Sequence, residues 1–286
     1  EKIILEKVKK DAKVTTGAKT LFDEIELLVA GKASEITLES IFNKINFDVK
    51  VRVVADYSGS MNGRPKSLAA VAATAALLKS QSDYDLLIGF SSDYKIWSGK
   101  TSVESGNRFM SGKKVTLSGL IDKKDSFINN FKRVYSAYLT GTASSTNIRQ
   151  VSIAFKDWVD AAGTPAEKQS RIEEICSAPV LLLISDGDLN CDPSPRGSLS
   201  TFKMDLKQWF GYEPVIVIWN IPKYGEGSKD KYFKGMENVI HVTTYNLSTI
   251  NQIFTKIGDL DIIDVYTPLK SLYESNRYDL VKTLTI

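Results

Sequence analysis

Short apolar runs that alternate with helical patterns constrain the fold of this chain more than any other feature of its sequence. The first run, at 49–55, is rich in valine and ends at a loop of serine and glycine, as buried strands often do. Further strand-like runs lie at 86–90, 180–184, 215–219 and 239–242, and helical patterns lie at 68–78, 127–138, 148–159, 199–210 and 247–257. Strands that alternate with helices form βαβ units, because a parallel neighbour needs a crossover connection. The sequence therefore predicts an α/β fold with a doubly wound, mostly parallel sheet flanked by helices.

The rest of the chain divides around this alternation. Residues 1–46 carry apolar residues at helical spacing and predict a helical N-terminal flank, and 259–286 predict a helical C-terminal tail. Between them, 47–258 form the predicted α/β domain. The stretch at about 94–124 interrupts the rhythm with glycine and serine, which predicts an inserted hairpin at one edge of the sheet. The chain begins at Glu1 without a methionine, so the flank is interpreted either as the start of a processed chain or as the remnant of a longer one.

The scarcity of histidine and cysteine excludes several functions. With one His and two Cys in 286 residues, only His241, Cys176 and Cys191 offer nitrogen or sulfur of the kind that zinc prefers. A Ser-His-Asp hydrolase would depend on His241 alone, and no nucleophile, base or cofactor motif accompanies it. The sequence thus predicts a protein that is not an enzyme. Two cysteines do not form a disulfide framework and no apolar run reaches the roughly 20 residues of a membrane span, which favours a cytoplasmic location, or a virion if the source is viral.

The charge of the chain is concentrated in one segment. Overall, 37 Lys and Arg face 34 Asp and Glu, a formal net charge of +3. Residues 94–133 alone hold nine basic and three acidic residues, a net charge of +6. Lys113, Lys114, Lys123 and Lys124 are the candidate polyanion contacts within it. Two interpretations stay open: a solvated edge of the sheet, or a docking surface for an acidic protein or nucleic acid.

Oxygen-bearing side chains follow the first predicted strand at alternate positions. Asp56, Ser58 and Ser60 place a carboxylate and two hydroxyls in one loop, in which Gly59 permits a tight turn. Such donors select Mg²⁺, Mn²⁺ or Ca²⁺. The strand at 180–184 runs into a further acidic residue, Asp186, and the loop at 142–147 precedes a helix. Since ligands bind at the carboxyl ends of parallel strands, these segments are expected to meet there.

This ordered set resembles the von Willebrand factor A domain and its metal-ion-dependent adhesion site, over roughly residues 50–257. The resemblance implies a Rossmann-like fold in which Asp56 holds the metal through water, Ser58 and Ser60 ligate it directly, Thr146 is the loop ligand and Asp186 is the second acid. Two alternatives stay open within the motif: Thr142 could replace Thr146, and Asp188 could replace Asp186.

Within that family the chain looks most like the Ro-type (TROVE) proteins and related plant and viral proteins, on the residues 56–61 (DYSGSM) and 214–220 (PVIVIWN) and the helical pattern before the first strand. The resemblance implies a Mg²⁺-dependent protein-binding module, in which an Asp or Glu of the partner completes the coordination of the metal. One alternative is a Ro-like RNA-associated protein that uses the basic insertion, since the ring of helical repeats that carries RNA in Ro-type proteins has no room in the preceding 46 residues. Another is a structural or assembly component, such as one of a virus particle. The oligomeric state is left open.

Overall fold

The computed structural model describes residues 50–61, 64–79, 86–99, 102–104, 115–139, 146–186, 189, 194–221 and 232–243. The predicted N-terminal flank, the helix at 247–257 and the C-terminal tail lie outside these residues. The described elements are, in order, β1 (Val51–Asp56), a 3₁₀ turn (Gly59–Met61), α1 (Arg64–Lys79), β2 (Leu87–Phe90), β3 (Tyr94–Trp97), β4 (Ser102–Glu104), α2 (Leu117–Leu120), α3 (Phe127–Leu139), α4 (Arg149–Asp160), α5 (Pro165–Cys176), β5 (Val180–Ser185), α6 (Pro195–Phe210), β6 (Val215–Asn220) and β7 (Val239–Thr243).

The strands of the described residues form one seven-stranded sheet in the order β4-β3-β2-β1-β5-β6-β7. Strands β2, β1, β5, β6 and β7 pair in parallel, and β3 and β4 are added in antiparallel orientation at one edge. Every residue of β1, β2 and β5 is buried. That is expected of central parallel strands covered on both faces, and it explains why their sequences are apolar without alternation. The predicted fold class is confirmed.

The two faces of the sheet carry separate layers of helices. One layer contains α1, α2 and α3, which pack on alternate residues of the central strands, including Val53, Leu182 and Val217. The other contains α4, α5 and α6, which pack on the intervening residues, including Val54 and Leu183. Alanines of α1 are buried against the sheet, which lets this helix lie close to it. The period of two along each strand therefore divides the core into two apolar clusters.

The connections from β1 and β5 run in opposite directions across the sheet. From β1 the chain passes through α1 to β2 on one side, whereas from β5 it passes through α6 to β6 on the other. Because β1 and β5 are neighbours, the switch point of the sheet, or crevice, lies between their carboxyl ends. In open α/β sheets this switch point is where ligands bind.

The edge of the sheet and helix α5 show how far the apolar pattern reaches. Within the stretch 94–124, β3 pairs antiparallel with β2 and with β4; residues 100–101 and 105–114 lie outside the described part, so the bounds of the insertion stay a prediction. Helix α5 has no counterpart in the apolar pattern, because Ile175 is its one fully buried residue. Its start is fixed by polar groups instead: Thr164 accepts from the Glu167 N–H, and the Glu167 carboxylate accepts from the Gly163 N–H.

A buried arginine ties α5 to the central strand at the opposite end of the sheet from the crevice. Arg52 of β1 is completely buried, with its Nη1 3.3 Å from Glu174 Oε1 and its Nη2 donating to the Glu174 carbonyl. Lys50 Nζ lies 2.8 Å from the same carboxylate oxygen. The half-buried carboxylate of Glu174 therefore lies beside two positive charges, that of the fully buried Arg52 and that of Lys50.

Within the described ranges, no helix is long and apolar enough to cross a membrane.

Candidate metal centre

Asp56 lies at the end of β1, on one side of the crevice. Its side chain is only 2% exposed. Oδ1 accepts from the backbone N–H of Ser58 at 2.7 Å, and Oδ2 accepts from the hydroxyl of Ser185 at 2.8 Å. The first bond folds the loop back over the strand end, and the second joins the carboxyl ends of β1 and β5.

Ser58 and Ser60 lie in the tight turn that follows. The Ser58 carbonyl accepts from the Met61 N–H at 3.0 Å, which closes the turn. The two hydroxyl oxygens are 2.7 Å apart and hydrogen-bonded to each other. The structure thus brings these two hydroxyls together in the loop that follows Asp56.

Tyr57 fixes this loop to the neighbouring strand. Its N–H donates to the Phe90 carbonyl at 2.7 Å, and its buried ring lies 6.1 Å from that of Trp97. A Cβ placed on Gly89 would lie 2.1 Å from the Tyr57 ring, so glycine is required there for the ring to pack. Aromatic packing against β2 and β3 therefore holds the polar loop in place.

Asp186 follows β5 on the other side of the crevice and is also 2% exposed. Burial and, to a smaller extent, the negative charge of Asp186 together raise the pKa of the Asp56 carboxyl to about 7. Asp186 thus lies close enough for its charge to oppose the ionisation of Asp56. A divalent cation between them would remove this penalty.

Thr146 lies in the loop before α4 and is 2% exposed. The next residue, Asn147, donates its N–H to the carbonyl of Ser91 at 3.0 Å, just beyond the end of β2. Its side-chain oxygen accepts from the Arg149 N–H at 3.0 Å, at the start of the helix. Because β2 adjoins β1, these bonds place the Thr146 loop at the same edge of the sheet as Asp56. The competing residues Thr142 and Asp188 lie outside the described residues, so both choices of ligand stay predictions.

The donors at this edge suit a hard divalent ion. They are carboxylates and hydroxyls, and the described contacts of Asp56 include no lysine or arginine that would neutralise it. No group of three or more His, Cys, Asp or Glu that could hold a metal occurs in the described parts of the chain. A cation bound here would therefore depend on serine and threonine oxygens as well as on the two acids.

Three polar residues at the same edge were not indicated by the sequence. Ser185 donates to Asp56, Ser91 accepts from the Thr146 loop, and Asn220, completely buried at the end of β6, lies opposite Ser185 in the strand register. Each comes directly after a run of apolar residues, Ser185 and Asn220 as the last residues of their strands and Ser91 as the residue after β2, and that position is the signal that could have found them. Of the three, Ser185 binds a candidate ligand directly, since its hydroxyl donates to Asp56.

The basic insertion is only in part an exposed surface. Lys123 and Lys124 are exposed in the turn before α3, whereas Lys113 and Lys114 lie outside the described residues. Lys95 is buried, with its Nζ 5.6 Å from the centre of the Trp97 ring, and Arg133 pairs with Asp125 at 2.7 Å. Two of the basic residues counted in this segment are thus engaged within the fold.

Comparisons with known proteins give a structural likeness and no match by sequence. No protein-family model matches the sequence, and no curated protein matches it. The structure is similar to the crystal structure of the Deinococcus radiodurans RO (RSR) protein, with a TM-score of 0.42 and 13% sequence identity over 76% of this chain. The chain spans 36% of the length of that protein. The residues of the candidate metal centre therefore carry the functional proposal.

Proposed function

We propose that this chain is a non-enzymatic module that binds a divalent cation at the carboxyl ends of β1 and β5 and, through the cation, an acidic residue of a protein partner. The cation is Mg²⁺ in the first instance, and Mn²⁺ and Ca²⁺ suit the same donors. Asp56, Ser58, Ser60, Thr146 and Asp186 are the proposed ligands, directly or through water.

The observation that carries this proposal is the pair of buried carboxylates at the topological switch point. Asp56 and Asp186 are each 2% exposed, and the charge of Asp186 raises the pKa of Asp56, yet the two acids follow the neighbouring strands β1 and β5. Buried acids without a nearby cation destabilise a fold. The hydroxyls of Ser58 and Ser60, which contact each other in the loop after Asp56, support the proposal by adding neutral oxygen donors.

The neutral hydroxyls explain why a carboxylate of a partner would bind the cation. Because serine and threonine oxygens carry no formal charge, a divalent ion held by them keeps much of its positive charge. An external carboxylate is then a strong ligand for a remaining coordination position. The partner is accordingly a protein surface that presents Asp or Glu.

The test is a calorimetric titration of Mg²⁺ and Mn²⁺ into the wild-type chain and into Asp56→Asn, which keeps the shape of the side chain and removes its charge. We expect binding by the wild type and its loss in the variant. Asp160→Asn is the matched control, because Asp160 is an exposed acid whose bonds are to Lys156 and Lys168. Absence of binding to the wild type, or equal binding to Asp56→Asn, refutes the proposal.

Partner binding is tested by affinity capture with the immobilised chain in Mg²⁺ and in chelator. Retention that is lost both in chelator and in Asp56→Asn is expected. A defined oligomer or filament that is indifferent to chelator would favour an assembly component instead.

A second candidate function is association with RNA through the basic insertion. The exposure of Lys123 and Lys124 in adjacent positions favours it. Binding would weaken steeply with salt, with a log–log slope of roughly one per phosphate neutralised. A double Lys123→Gln/Lys124→Gln variant should reduce that slope, and salt-independent binding would exclude this function.

A further inference from the structure

We propose that Arg149 recognises a second acidic group of the partner, next to the residue that completes the metal site. The inference rests on the proposed function and names a determinant of its specificity. It assigns a role to a residue that lies outside the set of metal ligands.

Arg149 is held from one side by a buried carboxylate. Its Nε donates to Asp205 Oδ2 at 2.9 Å, and the Ser152 hydroxyl donates to the same oxygen at 3.1 Å. Asp205, on α6, is 3% exposed. A buried anion that binds Nε fixes the direction of the guanidinium group before any ligand arrives, which lowers the entropy lost on binding.

The described contacts of Arg149 differ from those of the other arginines. Arg52, Arg133, Arg171 and Arg196 use terminal nitrogens to bind carbonyl or carboxylate oxygens within the fold. Arg149 is bound in the described structure through Nε, and its side chain is 54% exposed. The terminal nitrogens are therefore the part of this group that faces outward, and they form the fork that matches a carboxylate.

The position of Arg149 links it to the candidate metal centre. It is the first residue of α4 and comes three residues after Thr146, at the carboxyl edge of the sheet. The first turn of α4 contains no acidic residue. The positive end of the helix therefore adds to the attraction for an anion.

These features favour an acidic protein segment over a nucleic acid. Arg149 offers one oriented fork, which suits a single carboxylate rather than the row of phosphates that RNA presents. The segment that fits has two acidic side chains, one for the cation and one for Arg149.

The experiment measures peptide binding by NMR titration in Mg²⁺ buffer. The probes are a capped peptide with one glutamate among glycines and serines, and a set in which a second glutamate follows one to four residues later. The wild type should prefer one of the two-acid peptides. Arg149→Gln should weaken that complex about tenfold, the loss expected for a hydrogen bond between charged groups, while leaving Mg²⁺ binding and the one-acid peptide unchanged.

Three further variants define the role. Lys156→Gln is the matched control, since Lys156 lies on the same helix and is similarly exposed at 52%, and it should bind as the wild type does. Arg149→Lys keeps the charge without the fork and should also lose the preference. Asp205→Asn should lose part of it, because the guanidinium is no longer oriented; its thermal unfolding is recorded to confirm that it folds.

The outcomes separate the inference from the proposed function. If Mg²⁺ binds neither the wild type nor Asp56→Asn, or if no peptide binds the metal-loaded chain, the proposed function fails and the role of Arg149 fails with it. If Mg²⁺ and the one-acid peptide bind but Arg149→Gln affects both peptides equally or neither, the inference about Arg149 alone is wrong. If Arg149→Gln loses affinity for an RNA oligonucleotide and not for the peptides, the inference about Arg149 is also wrong.

Discussion

Replacing Asp56 with asparagine should remove a large pH-dependent loss of stability from the metal-free protein. Burial raises the pKa of this carboxyl from the ordinary 3.8 to about 7 in the folded state. A raised pKa means that the folded state favours the protonated acid. The contribution of Asp56 to stability is therefore complete below about pH 4 and is lost as the pH rises through about 7.

The shift fixes the size of the effect. At about 1.4 kcal/mol for each pH unit, a change from 3.8 to about 7 corresponds to about 4 kcal/mol in the free energy of unfolding. Asparagine matches the shape of the protonated acid: its oxygen can accept from the Ser58 N–H, and its amide can donate to the Ser185 hydroxyl. The variant should thus equal the wild type near pH 4 and exceed its stability by up to about 4 kcal/mol at pH 8.

Urea unfolding of the two proteins in chelator, followed by tryptophan fluorescence between pH 4 and 8, measures this difference. The difference between the two proteins isolates Asp56 from the other titrating groups. Saturating Mg²⁺ at pH 8 should stabilise the wild type and leave Asp56→Asn unchanged. Parallel pH profiles in chelator would refute the reasoning that Asp56 is buried without a compensating cation.

Three further changes test other parts of the structure. Gly89→Ala should destabilise the fold by about 3 kcal/mol, because the new Cβ would overlap the buried Tyr57 ring, and it should cost little in a Tyr57→Ala background. Glu174→Ala should cost about 3 kcal/mol in urea unfolding, since it leaves the buried Arg52 cation without its carboxylate. Cys176 should react with a thiol reagent about a thousandfold more slowly than a free thiol at pH 8, measured after the second cysteine is replaced by serine, because burial raises its pKa to about 12.

Each of these three predictions has a control variant or an outcome that would contradict it. Gly119→Ala is the control for the glycine, because a Cβ there meets Val115 at an ordinary 3.6 Å and should not destabilise the fold. Glu173→Ala, next to Glu174 on α5, should cost far less than Glu174→Ala; equal losses would contradict the role given to Arg52. Rapid labelling of Cys176 in the folded chain would show that burial does not raise its pKa as expected.

The sequence predicted those elements whose apolar pattern is strong. Strands β1, β5 and β6 and helices α3, α4 and α6 lie within a few residues of their predicted bounds, since burial on both faces of the sheet demands continuous apolar strands. Helix α5 and the short strand β4 were not resolved by the same reasoning, because few of their side chains enter the core. Polar caps and cross-strand pairing form them instead.

For the candidate metal centre, the sequence alone determined the loop of Asp56, Ser58 and Ser60, because alternate oxygens after a buried strand are a local pattern. Only the tertiary structure decided that Ser185 joins this loop to β5 and that Asp186 is near enough to raise the pKa of Asp56. It also decided that Asp205 orients Arg149 from a different helix, 56 residues away along the chain. A loop of neighbouring residues can be recognised from a short segment of sequence. Contacts between distant side chains depend on strand order and helix packing, which no short segment specifies.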